Sequence, residues 1–311
     1  MKINKLISIV IPIYNEEKGI GELIKVITLF IDSYSRYSFE VILVENGSID
    51  NSYNELYSYA KVDKRFKIVQ LSKNVGCDGG IEAGIHNSKG DALVIMMADL
   101  QEPITLIKDF IRNWENGYDI VYGIVKKRTA SFIRNFCSTT FYKLINLLTG
   151  NMFPENASDF RLIDKKVYEA IGNMQERNKY LRGLIAWTGF SQIGIPFDRK
   201  ERFAGKSKAN FLTVLKVATN GIFSFSYIPL RFISVLGFII TIVSFLMIGF
   251  YLCLYIIWGR VAPGATTIIL LILTLFGILF FVLGIISEYL VRIYEEVKSR
   301  PNFIEKNKIN F

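Results

Sequence analysis

Acid–base and metal chemistry in this chain falls to carboxylates. His86 is the only histidine in 311 residues, which excludes a Ser-His-Asp arrangement and any multi-histidine metal site. Arg134 and Ser138 stand four apart; on a helix they share a face and can grip one phosphate together. Arg202 and Lys208 flank Gly205 in a basic loop over residues 199–208.

These residues need a frame, and the first 125 residues supply one. Short β-rich apolar runs recur at Ile7 to Pro12, Glu40 to Glu45, Lys67 to Leu71, Ala92 to Met97 and Asp119 to Tyr122, each followed by a polar turn and a helical period. Such alternation predicts an α/β fold, a mostly parallel sheet with helices on both faces. Ligands of these sheets bind beyond the carboxyl ends of the strands. The polar segments there are Tyr14 to Glu17, Glu45 to Asp50, Asn74 to Gly80 and Asp99 to Pro103. Pro12-Ile13-Tyr14-Asn15 is no Gly-x-Gly-x-x-Gly turn, which argues against a dinucleotide fold.

The chain is long enough for one domain of about 200 residues and an appendage. Its 51% apolar content is concentrated in the last third. Residues 131–149 read as an amphipathic helix and 209–230 as an interfacial amphipathic region. Two runs, Phe232 to Trp258 and Thr266 to Ser287, each exceed the roughly 20 residues needed to cross a bilayer. The expected layout is a catalytic domain at 1–208, the interfacial region at 209–230, two transmembrane helices within 231–291 and a basic tail at 292–311. Seven basic residues in 199–231 and five from Arg292 onward, against Arg260 alone in the connection, place the catalytic domain and both termini in the cytoplasm. Cys77, Cys137 and Cys253 show no pairing pattern and read as reduced thiols. The net charge of +9 then favours phosphorylated substrates and an anionic membrane surface over nucleic acid.

At Ser8-Ile-Val-Ile-Pro-Ile-Tyr-Asn-Glu-Glu17 the sequence resembles the opening strand and loop of family 2 glycosyltransferases, which have the GT-A fold. The resemblance continues through Val44-Glu-Asn-Gly-Ser-Ile-Asp50, Met97-Ala-Asp-Leu-Gln-Glu-Pro103, Ser158-Asp-Phe-Arg-Leu-Ile-Asp164 and Arg202-Phe-Ala-Gly-Lys-Ser-Lys208. With the paired C-terminal spans it is similar to the polyprenyl-phosphate branch, relatives of dolichyl-phosphate mannose synthase and undecaprenyl-phosphate glucosyltransferases. That implies inverting transfer of a sugar from a nucleotide sugar to a long-chain isoprenoid phosphate at the inner membrane, assisted by Mg²⁺ or Mn²⁺, and it allows a homo-oligomer.

Carried over residue by residue, the resemblance puts Pro12, Tyr14, Glu16 and Glu45 around the donor nucleoside. Asp99, with Gln101, becomes the metal site, Met97 standing where the family has a further Asp. Arg128, Arg134 and Ser138 become the acceptor-phosphate site, and Arg202 and Lys208 a clamp over the donor diphosphate. Asp159 is the family's candidate base, with orientation of Arg161 and the acceptor as its other role. Plainer readings stand beside these: a solvated basic face for Arg128 and Arg134, headgroup attraction for Arg202 and Lys208, and turn or cap duty for Asn46 and Asp50. A processive polysaccharide synthase is a rival, weakened by the missing Gln-x-x-Arg-Trp; an inactive membrane scaffold is another, favoured by Met97 and Asn46.

Overall fold

The computed structural model describes residues 5–126, 157–174, 176–177, 180–200, 228–258 and 264–311. Arg128, Arg134, Ser138, Arg202 and Lys208 lie outside that set, as do the helix expected at 131–149 and nearly all of the interfacial region at 209–230.

The chain divides into two compact units, residues 1–221 with 300–311, and residues 222–299. The first is built on an eight-stranded sheet: β1 (Leu6–Ile13), β2 (Ser38–Glu45), β3 (Phe66–Leu71), β4 (Ala92–Ile95), β5 (Ile120–Val125), β6 (Ala157–Asp164), β7 (Gln192–Phe197) and β8 (Glu305–Ile309). Their spatial order is β7-β5-β6-β4-β1-β2-β3-β8. Only β6 and β8 run against the rest.

Between the strands lie α1 (Glu17–Ser33), α2 (Ser52–Val62), α3 (Gly76–Asn87), α4 (Leu106–Glu115), α5 (Lys165–Gly172) and α6 (Leu181–Trp187). Alternation along the central strands divides their apolar side chains between two cores. Ile7, Ile9, Ile11 and Ile13 of β1 pack in one with Leu23 and Ile27 of α1 and Phe110 of α4. Val10, Ile42, Val44 and Ile95 pack in the other with Ile81 and Ile85 of α3 and Val167 of α5. Burial on both faces explains why these strands read as continuous apolar runs. Where α3 crosses β1 only a glycine fits, since a Cβ on Gly84 would stand 2.2 Å from a Val10 methyl.

The second unit holds α7 (Ile228–Trp258) and α8 (Ala265–Lys298), two helices long and apolar enough to cross a membrane. Helix α8 outruns the apolar segment by 11 residues. Its charged end continues the helix, with Arg292 Nη2 3.0 Å from Glu288 Oε1 one turn earlier. Ser299, at φ +47, then closes it just ahead of Arg300-Pro301.

Residues 292–311, expected as a basic tail, comprise the end of α8 followed by a strand. Residues 300–311 belong to the first unit, and β8 is an antiparallel edge strand on β3. Asn302 donates to both Glu82 oxygens (3.1 and 3.0 Å), Asn87 donates to Glu305 (2.6 Å), and Asn310 donates to the carbonyls of Ala60 (2.7 Å) and Phe66 (2.8 Å). His86, the lone histidine, meets the Phe303 ring edge-on. Its role here is packing.

Candidate active site

The carboxyl ends of β1, β2 and β4 meet the amino ends of α3 and β6 on one rim of the sheet. Antiparallel β6 makes this possible: its register sets Arg161 opposite Ile95, so Ser158 and Asp159 arrive beside Met97 and Asp99.

The first two loops are laced together. Asn15, in the left-handed region at φ +53, donates its N–H to Ser48 Oγ (3.0 Å) and accepts from the Ile49 N–H (2.9 Å). The Glu16 N–H donates to Ser52 Oγ (3.0 Å). Pro12, Tyr14 and Glu16 are thereby held half-buried at this rim. Glu45, fully buried, accepts from the N–H of Ser48 within its own turn. Asn46 clamps the loop before α3, donating to the Gly76 carbonyl (2.7 Å) and accepting from the Val75 N–H (3.0 Å). That amide does what a carboxylate could not, because one of its two bonds is a donation.

Gly47 completes the turn at φ +67, and a Cβ there would fall 2.6 Å from the backbone of Lys73 and Asn74. Gly47→Ala is expected to lower stability by roughly 2–4 kcal/mol, the left-handed cost plus overpacking against backbone. Denaturant unfolding of the detergent-solubilised protein reads it; an unchanged midpoint would contradict the geometry.

In the loop after β4, Leu100 also adopts the left-handed region, at φ +55. A leucine there costs roughly 1–2 kcal/mol, and the turn sets Asp99 and Gln101 close together, with the Gln101 N–H donating to Asp99 Oδ1 (3.2 Å). Gln101 is fixed at its other end by donation of Nε2 to the Lys200 carbonyl (3.0 Å), an orientation that leaves its carbonyl oxygen as the acceptor. Asp99 and Gln101 thus suit a divalent ion whose remaining positions come from water and substrate phosphates. Met97 places its sulfur 3.8 Å from Cys77 Sγ. Among the described residues no group of three His, Cys, Asp or Glu could hold a metal unaided.

Three acids and two arginines complete the rim. Glu102 is buried and accepts from Ser158 Oγ (2.7 Å) and the Met97 N–H (3.3 Å), stitching the loop after β4 to β6. Burial pushes its carboxyl up to about 7 against those two bonds, and Asp159 and Asp99 add to the rise. Burial likewise pushes Asp78, in the first turn of α3, up to about 7, with Asp159 adding to it and Arg182 and Arg161 opposing. Cys77 is reached by solvent, yet the protein around it and the charges of Asp159 and Asp78 push its thiol well up, so it is no ready nucleophile.

Asp159 behaves in the opposite way. Burial works to raise its carboxyl, but Arg182 and then Arg161 overcome this and hold it below the usual range. Arg182 grips both oxygens, Nε to Oδ1 at 3.0 Å and Nη2 to Oδ2 at 2.7 Å.

Of the residues singled out in the sequence, the structure gathers Pro12, Tyr14, Glu16, Glu45, Asp99, Gln101 and Asp159 at this rim. Asp78 and Glu102 fall inside strand-end segments that the sequence already marks. Arg182 carries no such signal.

The comparisons fit this geometry. Residues 8–172 match the glycosyl transferase family 2 profile. The chain is 38% identical over 303 residues to an uncharacterized glycosyltransferase of Synechocystis sp., covering 96% of this chain and 94% of that protein. It is 32% identical over 311 residues to the bactoprenol glucosyl transferase of Shigella phage SfX, covering 97% and 99%. Among solved structures, glucosyl-3-phosphoglycerate synthase from Mycobacterium tuberculosis, in complex with Mn²⁺, uridine diphosphate and phosphoglyceric acid, aligns with a TM-score of 0.51 at 15% identity, over 72% of this chain and 78% of that one. That likeness supports the GT-A fold. A rim of strand-end carboxylates on this sheet, with relatives matching from end to end, makes the chain a glycosyltransferase belonging to glycosyl transferase family 2.

Proposed function

We propose that the chain transfers one sugar, with inversion, from a nucleotide-sugar donor to a polyprenyl phosphate of the undecaprenyl type at the cytoplasmic face of a membrane. The observation that carries the reading is the end-to-end likeness to a bactoprenol glucosyl transferase, which extends through both apolar helices. Two crossings return a chain to the side it left, in keeping with residues 300–311 sharing a compact unit with residues 1–221.

The acceptor's phosphate oxygen attacks the anomeric carbon; the bond to the donor's diphosphate breaks, and its electron pair leaves with the nucleotide. A phosphate monoester is already largely dianionic at neutral pH, its second pKa lying near 6. No strong base is required, which agrees with an Asp159 held ionised between two arginines. Pro12, Tyr14, Glu16 and Glu45 would seat the nucleoside. Asp99 and Gln101 would hold a Mg²⁺ or Mn²⁺ ion, which supplies neutralising charge to the diphosphate when bound. Arg128, Arg134 and Ser138 would grip the acceptor phosphate, and Arg202 and Lys208 would close over the donor.

A panel of nucleotide sugars with polyprenyl phosphate in detergent tests the function: one lipid-linked sugar is expected, whereas polymer would indicate a processive synthase. Failure to turn over any donor would favour the inactive scaffold, the reading that Met97 supports. Arg134→Ala is expected to raise the acceptor KM about tenfold or more, the loss of a charge-assisted contact, with donor affinity nearly unchanged. A fall in donor affinity with an unaltered acceptor KM would overturn that placement.

A further inference from the structure

The geometry points to Arg182 as the positioning residue of this site, its two-pronged contact fixing the Asp159 carboxylate at the rim. The inference rests on the proposed function in taking Asp159 as part of the working site. It adds a residue that the sequence motifs do not include, 23 positions downstream and on a different element.

Arg182 is built for this task. It sits in the first turn of α6, a helix anchored by buried Leu181, Leu184 and Ile185. Both carboxylate oxygens are engaged in the paired geometry that makes arginine forks stronger and more directional than single contacts. Arg161 makes no such fork: its Nη2 donates to the Ser158 carbonyl (2.8 Å) and lies 3.9 Å from Asp159 Oδ1.

The surroundings make the fork consequential. Asp159 faces Arg182 from α6, Arg161 from its own strand, Asp78 and Cys77 from α3, Glu102 from the loop after β4, and Arg199 from the segment after β7. Burial raises the neighbouring Asp78 carboxyl and works in the same direction on Asp159. Removing Arg182 takes away the largest charge opposing that burial, and the Asp159 carboxyl is expected to move upward toward the working pH range. Asp159 would then cease to be a fixed negative charge.

The test uses the full chain in detergent, with Arg182→Gln, Arg182→Lys, Asp159→Asn and the Arg182→Gln/Asp159→Asn double variant. Wild-type kcat is expected to lack an acid limb from Asp159 between pH 5 and 8, within approximate limits set by an ordinary carboxyl near 3.9. Arg182→Gln should acquire one: kcat falls about tenfold per pH unit below the raised carboxyl and recovers above it. Arg182→Lys, charged but unable to fork, should fall between the two. The double variant should be no slower than Asp159→Asn alone, since Arg182 acts through that carboxylate. A uniform loss at every pH, additive losses in the double variant, or a fully active Arg182→Gln would each overturn the proposal.

Thermal unfolding decides the pairing independently of turnover. A carboxyl depressed in the folded state contributes stability above its unfolded value and loses it as pH falls. Without Arg182 the folded carboxyl is expected to lie above its unfolded value, and a carboxyl so raised costs stability as pH rises past that value; the melting gap between wild type and Arg182→Gln should therefore widen as pH rises above about 4, and this pH dependence should vanish once Asp159→Asn is added. A gap that ignores pH would overturn the assignment. Absence of any transfer to polyprenyl phosphate would instead sink the functional reading and leave the pairing to the unfolding data.

Discussion

Asp99→Ala is expected to lower kcat by about 10³-fold, equivalent to ~4 kcal/mol of lost transition-state stabilisation. With Met97 at the position where the family has a further carboxylate, Asp99 supplies the one negative protein oxygen of the proposed metal site. Gln101 supplies a neutral one, oriented by its bond to Lys200. Such a pair binds a hard divalent ion weakly until the donor diphosphate contributes its oxygens. Calorimetry should accordingly find little metal affinity without nucleotide and clear affinity with it, and turnover should stop in chelator. Met97→Asp should tighten metal binding. Full activity of Asp99→Ala in the presence of metal, or tight binding by the nucleotide-free protein, would contradict this assignment. Wild-type activity surviving in chelator would mean that the basic residues neutralise the leaving group by themselves.

The second large effect concerns the far edge of the sheet. Deleting residues 300–311 should destroy activity by undoing the fold of the catalytic unit, although none of the deleted residues belongs to the rim. The deletion removes the β3–β8 ladder together with the bonds from Asn302 to Glu82, from Asn87 to Glu305 and from Asn310 to Ala60 and Phe66. At about 0.5–1.5 kcal/mol each, the five side-chain bonds alone sum to roughly 2.5–7.5 kcal/mol, comparable with the ~5–15 kcal/mol that holds an ordinary domain together. The uncovered edge of β3 is also a template for pairing with another chain. Size-exclusion chromatography should show aggregation, and unfolding should lose its cooperativity. A truncated protein that stayed monodisperse, with an unshifted melt, would show that the strand is dispensable.

How much of this was legible in the sequence follows from the reach of each interaction. Strands β1 to β4 are readable because sheet burial on both faces writes itself as contiguous Ile, Val and Leu, and their ends locate Tyr14, Glu45 and Asp99 without further help. Boundaries move by a residue or two; β4 stops at Ile95, since Met97 already belongs to the loop stitched by Glu102. Strand β8 is hidden because Glu305, Lys306 and Lys308 read as a solvated tail, and on an edge strand charge is compatible with pairing. Arg182 is invisible for another reason: its importance comes from a tertiary contact with Asp159, and nothing local distinguishes it from a surface arginine. Asn46 reads as a defect in a motif of carboxylates. In the fold it is the clamp between two loops.

The place of β8 has a consequence for the order of events during synthesis. A ribosome that has completed β3 must still make about 240 residues, including both apolar helices, before the partner strand exists. At ~5–20 residues per second, β3 waits with one side unpaired for roughly 10–50 s. If α7 and α8 cross a bilayer as proposed, their insertion falls within that interval, and β8 can then reach β3 only from the side where the rest of the sheet is waiting. A chain inserted with the wrong number of crossings would strand its final residues across the membrane from their partner, and the open β3 edge would mark it as unfinished.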